Sequence, residues 1–358
     1  MPSDAVARLL EDTRRICAMP APPFAEGPRA ELVAWMLEQA GAPARIDHVG
    51  NVIAPLGPAG DDTLVFAAHL DTVFPAGTEI AFVEADGRLA APGVGDNSIA
   101  VAALPHLARH LRGRSLARPV ALVATVGEEG LGDLRGAKAL LAELPVGAFV
   151  ALEGQMLESI KLAAVGSVRL RVTIRGPGGH PWGDRGAPSA AHGLVDVLSG
   201  ALAEAHAAGI VVNVGTLRGG TAINTIADEA VAEIDLRSED DGLLQATASR
   251  IEEIFGWTHD GLDATVEGLG RRPGGRIGPD HPLVQAARRA RERAGLPPAD
   301  EGASSTDANA ALGRGIPAIT VGLTTGGNAH RLDEYIDLAP IADGLRFVEA
   351  LAEELAGG

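Results

Sequence analysis

Between residues 63 and 153 the chain gathers apolar residues into runs too short for globular helices and too continuous for half-exposed strands: TLVFAAHL, RPVALVATV and GAFVAL. Such runs read as strands buried on both faces. Among them, NSIAVAALPHLARHL has the spacing of a helix. Upstream, PRAELVAWMLEQAG (28–41) carries Pro near its start and Gly at its end, as helices do. Short strands are expected at 44–48 and 51–54. Buried strands alternating with helices predict an α/β domain with a mixed, mainly parallel sheet covered by helices.

From about residue 166 the rhythm becomes a strict alternation. SVRLRVTIRG reads as a half-exposed strand and PSAAHGLVDVLSGALAEAHAAG as a helix; VVNVGTLRGG and EAVAEIDLRS are strands, GLLQATASRIEEIFG a helix and DATVEGLG a strand. This β-α-β-β-α-β order predicts a ferredoxin-like domain inserted at 166–270. The larger domain is then split into 1–165 and 271–358. Its pattern resumes with the helix HPLVQAARRARERAG and the strand IPAITVGL, after the Gly/Pro-rich crossing GRRPGGRIGP.

Composition adds limits. Hydrophobic residues make up 46% of the 358 and the mean hydropathy is +0.13, which excludes a disordered chain. No apolar stretch is long enough to span a bilayer. Thirty Lys and Arg against 47 Asp and Glu give a formal charge of -17, so phosphate backbones and anionic membranes are not expected partners. The single cysteine, Cys17, excludes an intramolecular disulfide and a thiolate cluster, and its place in an amphipathic helix marks it as a buried bystander. The opening MPSDAVARLLEDTRRICAMP mixes acids and arginines with its apolar residues, unlike a signal peptide, so a cytoplasmic location is expected.

The chemistry gathers where the strands end. His69 closes one apolar run, and Asp71 follows two positions later, on the same side if the strand continues. Asp96 lies in GVGDNS, Glu128 and Glu129 in TVGEEG, Glu153 in ALEGQ and His330 in GGNAHRLDEY. Each has an ordinary reading by itself: a turn aspartate, an exposed charged turn, a helix-start acid, a loop histidine. Their recurrence at one end of successive strands, where open α/β sheets place their sites, favours function. Two imidazoles with three carboxylates suit a pair of divalent ions sharing one carboxylate.

The ordered set HLDTVF, GVGDNSIAV, GEEGLGDLRGAK, ALEG and NAHRLDEY, around an inserted ferredoxin-like lid, resembles the co-catalytic dinuclear zinc peptidases and deacylases. That family includes aminoacylase, glutamate carboxypeptidase, acetylornithine deacetylase, succinyl-diaminopimelate desuccinylase and peptidase T. The resemblance runs from EGPRAELVAWMLEQAG to the C-terminal His loop. It implies that His69, Asp96 and Glu153 hold one Zn2+ and that Asp96, Glu129 and His330 hold the other, with Co2+ or Mn2+ as substitutes. It also implies that Asp71 accepts the proton on His69's second ring nitrogen and that Glu128 is the general base. A cis peptide is expected between Asp96 and Asn97.

For the substrate, the resemblance implies hydrolysis of the amide of an N-acyl amino acid or small peptide with a free carboxylate. Glu at position 153 favours the carboxypeptidase or deacylase type, because the di- and tripeptide aminopeptidases usually carry Asp there. Asn224 and Arg237 match the family's substrate-contacting Asn and Arg, and a guanidinium suits a substrate carboxylate. Ser304, Ser305, Thr306 and Asp307 match a loop lining the pocket. His180, on a Gly-Gly-His-Pro turn, matches a lid histidine that stabilises the oxyanion, in compact lids usually from the partner subunit of a homodimer joined through the lids. Alternatives are an aminopeptidase or dipeptidase on this fold, an inactive binding protein, and a two-metal hydrolase of another bond.

Overall fold

The computed structural model describes residues 4–58, 60–257 and 260–357. The chain forms two compact units, Met1–Ala164 with Arg276–Gly358, and Val165–Gly275.

The first unit is built on a mixed sheet. Its strands run in the spatial order Arg45–Ile46, Val52–Leu56, Val120–Thr125, Thr63–His69, Val146–Glu153, Ala318–Gly322, Ser159–Ala164 and Gly275–Arg276, with Asp300–Ser304 beside Ser159–Ala164. The central neighbours Val120–Thr125, Thr63–His69, Val146–Glu153 and Ala318–Gly322 are mutually parallel. Both faces are covered, which explains the continuous apolar runs. Leu64, Phe66, Ala68, Leu122 and Ala124 pack into one core layer, while Val65, Ala67, Ala121 and Val123 pack into the other. Helices Gly27–Gln39, Ile99–Leu111 and Ile341–Ala356 contribute to the first layer, and Arg135–Glu143 to the second. Each fully buried aliphatic or aromatic side chain contributes roughly 1.5–3 kcal/mol, so such strands can tolerate charged groups at their ends.

Cys17 lies at the end of the helix Asp4–Cys17, where burial pushes its thiol up to about 11, as suits an unreactive bystander.

The second unit is a four-stranded antiparallel sheet in the order Val211–Gly219, Glu229–Ser238, Gly166–Arg175, Asp263–Arg272. Helices Ala190–Ala208 and Asp241–Gly256 join its pairs of strands. Alternate residues Val168, Leu170, Val172 and Ile174 meet Leu194, Val197, Ile251 and Phe255 in a separate core. This is the ferredoxin-like arrangement expected of the inserted segment.

A small antiparallel sheet was not legible beforehand. Its order is Gly326–Gly327, Tyr335–Asp337, Arg88–Ala90, Val83–Ala85. It places the His330 connection beside the chain that leads into Asp96. No helix among the described residues is long and apolar enough to cross a membrane.

Candidate metal centre

The strand ends converge as two groups of donors with one shared member. His69, the last residue of Thr63–His69, is buried, and its Nε2 lies 3.0 Å from Asp96 Oδ1 and 3.7 Å from Glu153 Oε2. His330 Nε2 lies 3.0 Å from Asp96 Oδ2 and 3.2 Å from Glu129 Oε1. Within each of the groups His69–Asp96–Glu153 and Asp96–Glu129–His330, one ligand atom per residue falls within 4.8 Å of the others. Asp96 turns one carboxylate oxygen to each, as a bridging ligand must. The Asp96–Asn97 peptide is cis, as the resemblance implies.

Electrostatics mark the centre as a cation site. Hydrogen bonds that His330 donates to Asp96 and then to Glu129 push this imidazole up to about 10. Burial alone would lower His69, but Asp96 and Glu153 override it and raise this imidazole well above its ordinary value. Burial pushes Glu153 up to about 8, whereas the two imidazoles outweigh burial at Asp96 and hold it well below the carboxylate range. Two imidazoles and a Glu153 that hold protons strongly, facing an Asp96 carboxylate kept ionised, form a donor set that suits divalent ions in place of those protons. The residues present therefore suit the implied pair of ions.

Around the donors, the geometry corrects one expectation. His69 Nδ1 is 2.9 Å from the main-chain oxygen of Asp71 and 3.8 Å from its carboxylate. A carbonyl oxygen can only accept, so Nδ1 carries a proton and Nε2 is the ring nitrogen left for a cation, which would displace any proton there. The backbone of Asp71, not its carboxylate as expected, fixes the tautomer. The reason is that the carboxylate is engaged elsewhere: it accepts from the N–H groups of Glu128 at 3.0 Å and Glu129 at 2.7 Å. Asp71 thus ties the Glu128–Glu129 turn to the His69 strand. Glu128 itself is buried beside the donors, within 4.8 Å of ligand atoms of His69 and Glu129.

Several supporting residues escaped the sequence reading. Arg29, buried in the helix Gly27–Gln39, donates from Nη1 to the Leu70 carbonyl at 2.8 Å, bracing the backbone between His69 and Asp71. Glu334 is buried against the backbone preceding Asp96. No simple spacing announces either contact, since the partners lie 41 and more than 230 positions away. In the expected pocket loop, Thr306 and Asp307 are buried; Thr306 Oγ1 pairs with Thr320 Oγ1 at 2.8 Å, and Asp307 Oδ2 accepts from Thr125 Oγ1 at 2.5 Å. Burial first, then the charge of Glu128, pushes Asp307 up to about 7. Thr306 Oγ1 and Asp307 Oδ2 thus find their partners within this unit.

The remaining candidates belong to the second unit. Arg237 is the penultimate residue of the strand Glu229–Ser238 and donates from Nε and Nη2 to Asp235 Oδ2 at 3.2 and 2.9 Å. Asn224 is exposed on the connection between Val211–Gly219 and Glu229–Ser238. His180 lies on an exposed turn, where its Nδ1 accepts the N–H groups of Trp182 at 3.3 Å and Gly183 at 3.1 Å. A neutral ring so held carries its proton on Nε2 and presents a donor there.

Fold and site together define a metal-dependent peptidase or amidohydrolase. Residues 65–354 match Peptidase family M20/M25/M40, and the chain belongs to that family. Among solved structures, it is similar to an aminopeptidase PepT of Bacillus cereus at 24% identity, covering 98% of each chain with a TM-score of 0.77. A tripeptidase of Staphylococcus aureus is 21% identical, with 97% of this chain and 99% of that one covered and a TM-score of 0.78. A dinuclear metal-binding peptidase of the M20 family from Bacillus subtilis is 19% identical over 98% of each chain, with a TM-score of 0.69. No curated protein matches the chain significantly.

Proposed function

We propose that the protein hydrolyses the amide bond of an N-acyl amino acid or short peptide bearing a free α-carboxylate, as a deacylase or carboxypeptidase. The observation that carries the hydrolytic reading is Asp96, with one oxygen toward each donor group and Glu128 beside them. Two divalent ions, zinc in this proposal with Co2+ or Mn2+ as substitutes, would supply Lewis acidity toward a water molecule and the scissile carbonyl. Glu128 takes the water's proton and delivers it to the leaving nitrogen. Asp71, through the two backbone N–H groups it accepts, keeps Glu128 facing the donors.

Glu153, in place of the Asp usual in di- and tripeptide aminopeptidases, supports the deacylase or carboxypeptidase assignment. A second reading, aminopeptidase action on short peptides, is favoured by the names of the first two similar structures. The readings separate on substrates with a blocked amino end. Hydrolysis of N-acetyl amino acids and of peptides with a blocked amino end supports the first, and hydrolysis confined to peptides with a free amino end sinks it.

Within this proposal Arg237, with Asn224, holds the substrate carboxylate. Its ion pair with Asp235 orients the guanidinium but leaves donors for a second acceptor, because Arg carries five N–H groups. Arg237→Ala is expected to raise KM about tenfold or more for substrates with a free carboxylate and to leave their carboxamides unchanged, since a charge-assisted pair contributes roughly 1.5–3 kcal/mol. Equal effects on acid and amide would assign Arg237 a structural role.

His180, a donor through Nε2, is proposed to stabilise the developing oxyanion from the partner subunit of a lid-joined homodimer. Mixing His180→Ala with Glu128→Gln should restore activity that neither has alone, because one heterodimer site is complete. No rescue despite demonstrated subunit exchange would refute supply across the interface.

A further inference from the structure

The buried carboxylate of Glu334 stands outside both donor groups, yet it grips the chain that carries their shared member. Its Oε2 accepts from the N–H of Gly93 at 2.9 Å, and its Oε1 from Gly95 at 2.8 Å and Asp96 at 2.6 Å. Its own carbonyl accepts from Ala91 N at 3.0 Å. Glu334 follows His330 by four residues, in the connection between Gly326–Gly327 and Tyr335–Asp337.

Gln155, two residues beyond Glu153, completes the junction. It donates to the Tyr335 carbonyl at 3.1 Å and lies 3.4 Å from Glu334 Oε1. The surrounding backbone leaves little room. A Cβ at Gly95 would collide with Gln155, and one at Gly93, where φ is +76°, would come within 2.8 Å of Thr72 Cγ2. The segments bearing Asp96, Glu153 and His330 therefore meet at one carboxylate and one amide.

We infer that Glu334, supported by Gln155, is a positioning residue that fixes Asp96 relative to His330 and thereby sets the affinity of the Asp96–Glu129–His330 group for its ion. The inference rests on the two-ion reading of the centre. The two groups depend on this junction unequally. His69 and Glu153 end strands that pair directly within the large sheet, so their separation is held by the ladder. His330 comes instead from a connection at positive φ (67°), with its side chain 56% exposed. Slack between that connection and the Asp96 segment falls on the second group.

The test is calorimetric titration of chelator-stripped protein with Co2+, supported by the absorption spectrum of each bound ion. In Glu334→Gln an amide NH2 replaces one acceptor oxygen and confronts a backbone N–H, donor against donor. The variant should bind its first ion as the parent does and its second about ten- to a hundredfold more weakly, the range usual for residues that orient metal ligands. Gln155→Ala should shift the same step in the same direction. Thermal melts of the stripped proteins confirm folding; if Glu334→Gln does not fold, Gln155→Ala decides. Equal weakening of both steps, or no weakening in a folded variant, overturns the inference. A parent that takes up fewer than two ions overturns the two-ion reading, and the inference with it.

Discussion

Glu128→Gln is expected to keep its full metal complement and to turn over about a hundred- to ten-thousand-fold more slowly than the parent, the usual contribution of a positioned proton carrier. The substitution preserves shape. Glu128 is held by its backbone N–H on Asp71 Oδ1, at 3.0 Å, and that bond does not involve the side chain being changed. The donors His69, Asp96, Glu129, Glu153 and His330 are untouched, so metal content measured by elemental analysis should stay at the parental value. What is lost is a group able to take a proton and give it back. If the variant instead loses metal and retains its rate per bound ion, Glu128 and Glu129 have exchanged roles.

The proposed assignment separates two adjacent carboxylates, and their positions differ in a way that supports it. Glu129 Oε1 reaches His330 Nε2 at 3.2 Å and belongs to the group containing Asp96. Glu128 falls with His69 and Glu129 but outside both groups that share Asp96. Their shared anchor, Asp71, fixes both backbones at once and so holds these neighbours in sequence at two different places in the centre.

Much of this was legible in the sequence because the strands and the donors obey local rules. A strand buried on both faces must be apolar throughout, so TLVFAAH announces its own end when His69 appears, and the lid strands show their half-exposed character by alternation. What was hidden depends on contacts distant in sequence. The hairpin around His330 pairs strands of two and three residues, Gly326–Gly327 and Tyr335–Asp337, too short to leave a period. Glu334 reads as one more acid in a polar loop until Gly93, Gly95 and Asp96 are brought to it. Asp71 is the instructive case: its spacing put it on the side of His69, the resemblance implied that its carboxylate meets the imidazole, and the contact exists, but the main chain makes it. Sequence spacing brings two residues together without saying which atoms meet.

Asp96→Asn should produce the other large effect, by a different route. Oδ1 of Asp96 faces His69 Nε2 and Oδ2 faces His330 Nε2, each at 3.0 Å. An asparagine retains one oxygen, and its amide nitrogen has no lone pair to offer a cation. One group must therefore lose a donor, and the centre loses a negative charge that would offset repulsion between two dications. At a Co2+ or Zn2+ concentration that saturates the parent with two ions, the variant is expected to hold about one. Turnover should fall on the order of a thousandfold, because a Lewis-acid ion stabilises the transition state by several kcal/mol and each 1.36 kcal/mol is a factor of ten. Glu153→Gln gives the contrasting case, since Glu153 serves only the group with His69. It should weaken one ion and leave the affinity of the His330 group intact, whereas Asp96→Asn alters both binding steps, one through the missing oxygen and the other through the missing charge. Two ions bound by Asp96→Asn at parental affinity, with parental turnover, would show that Asp96 is not shared.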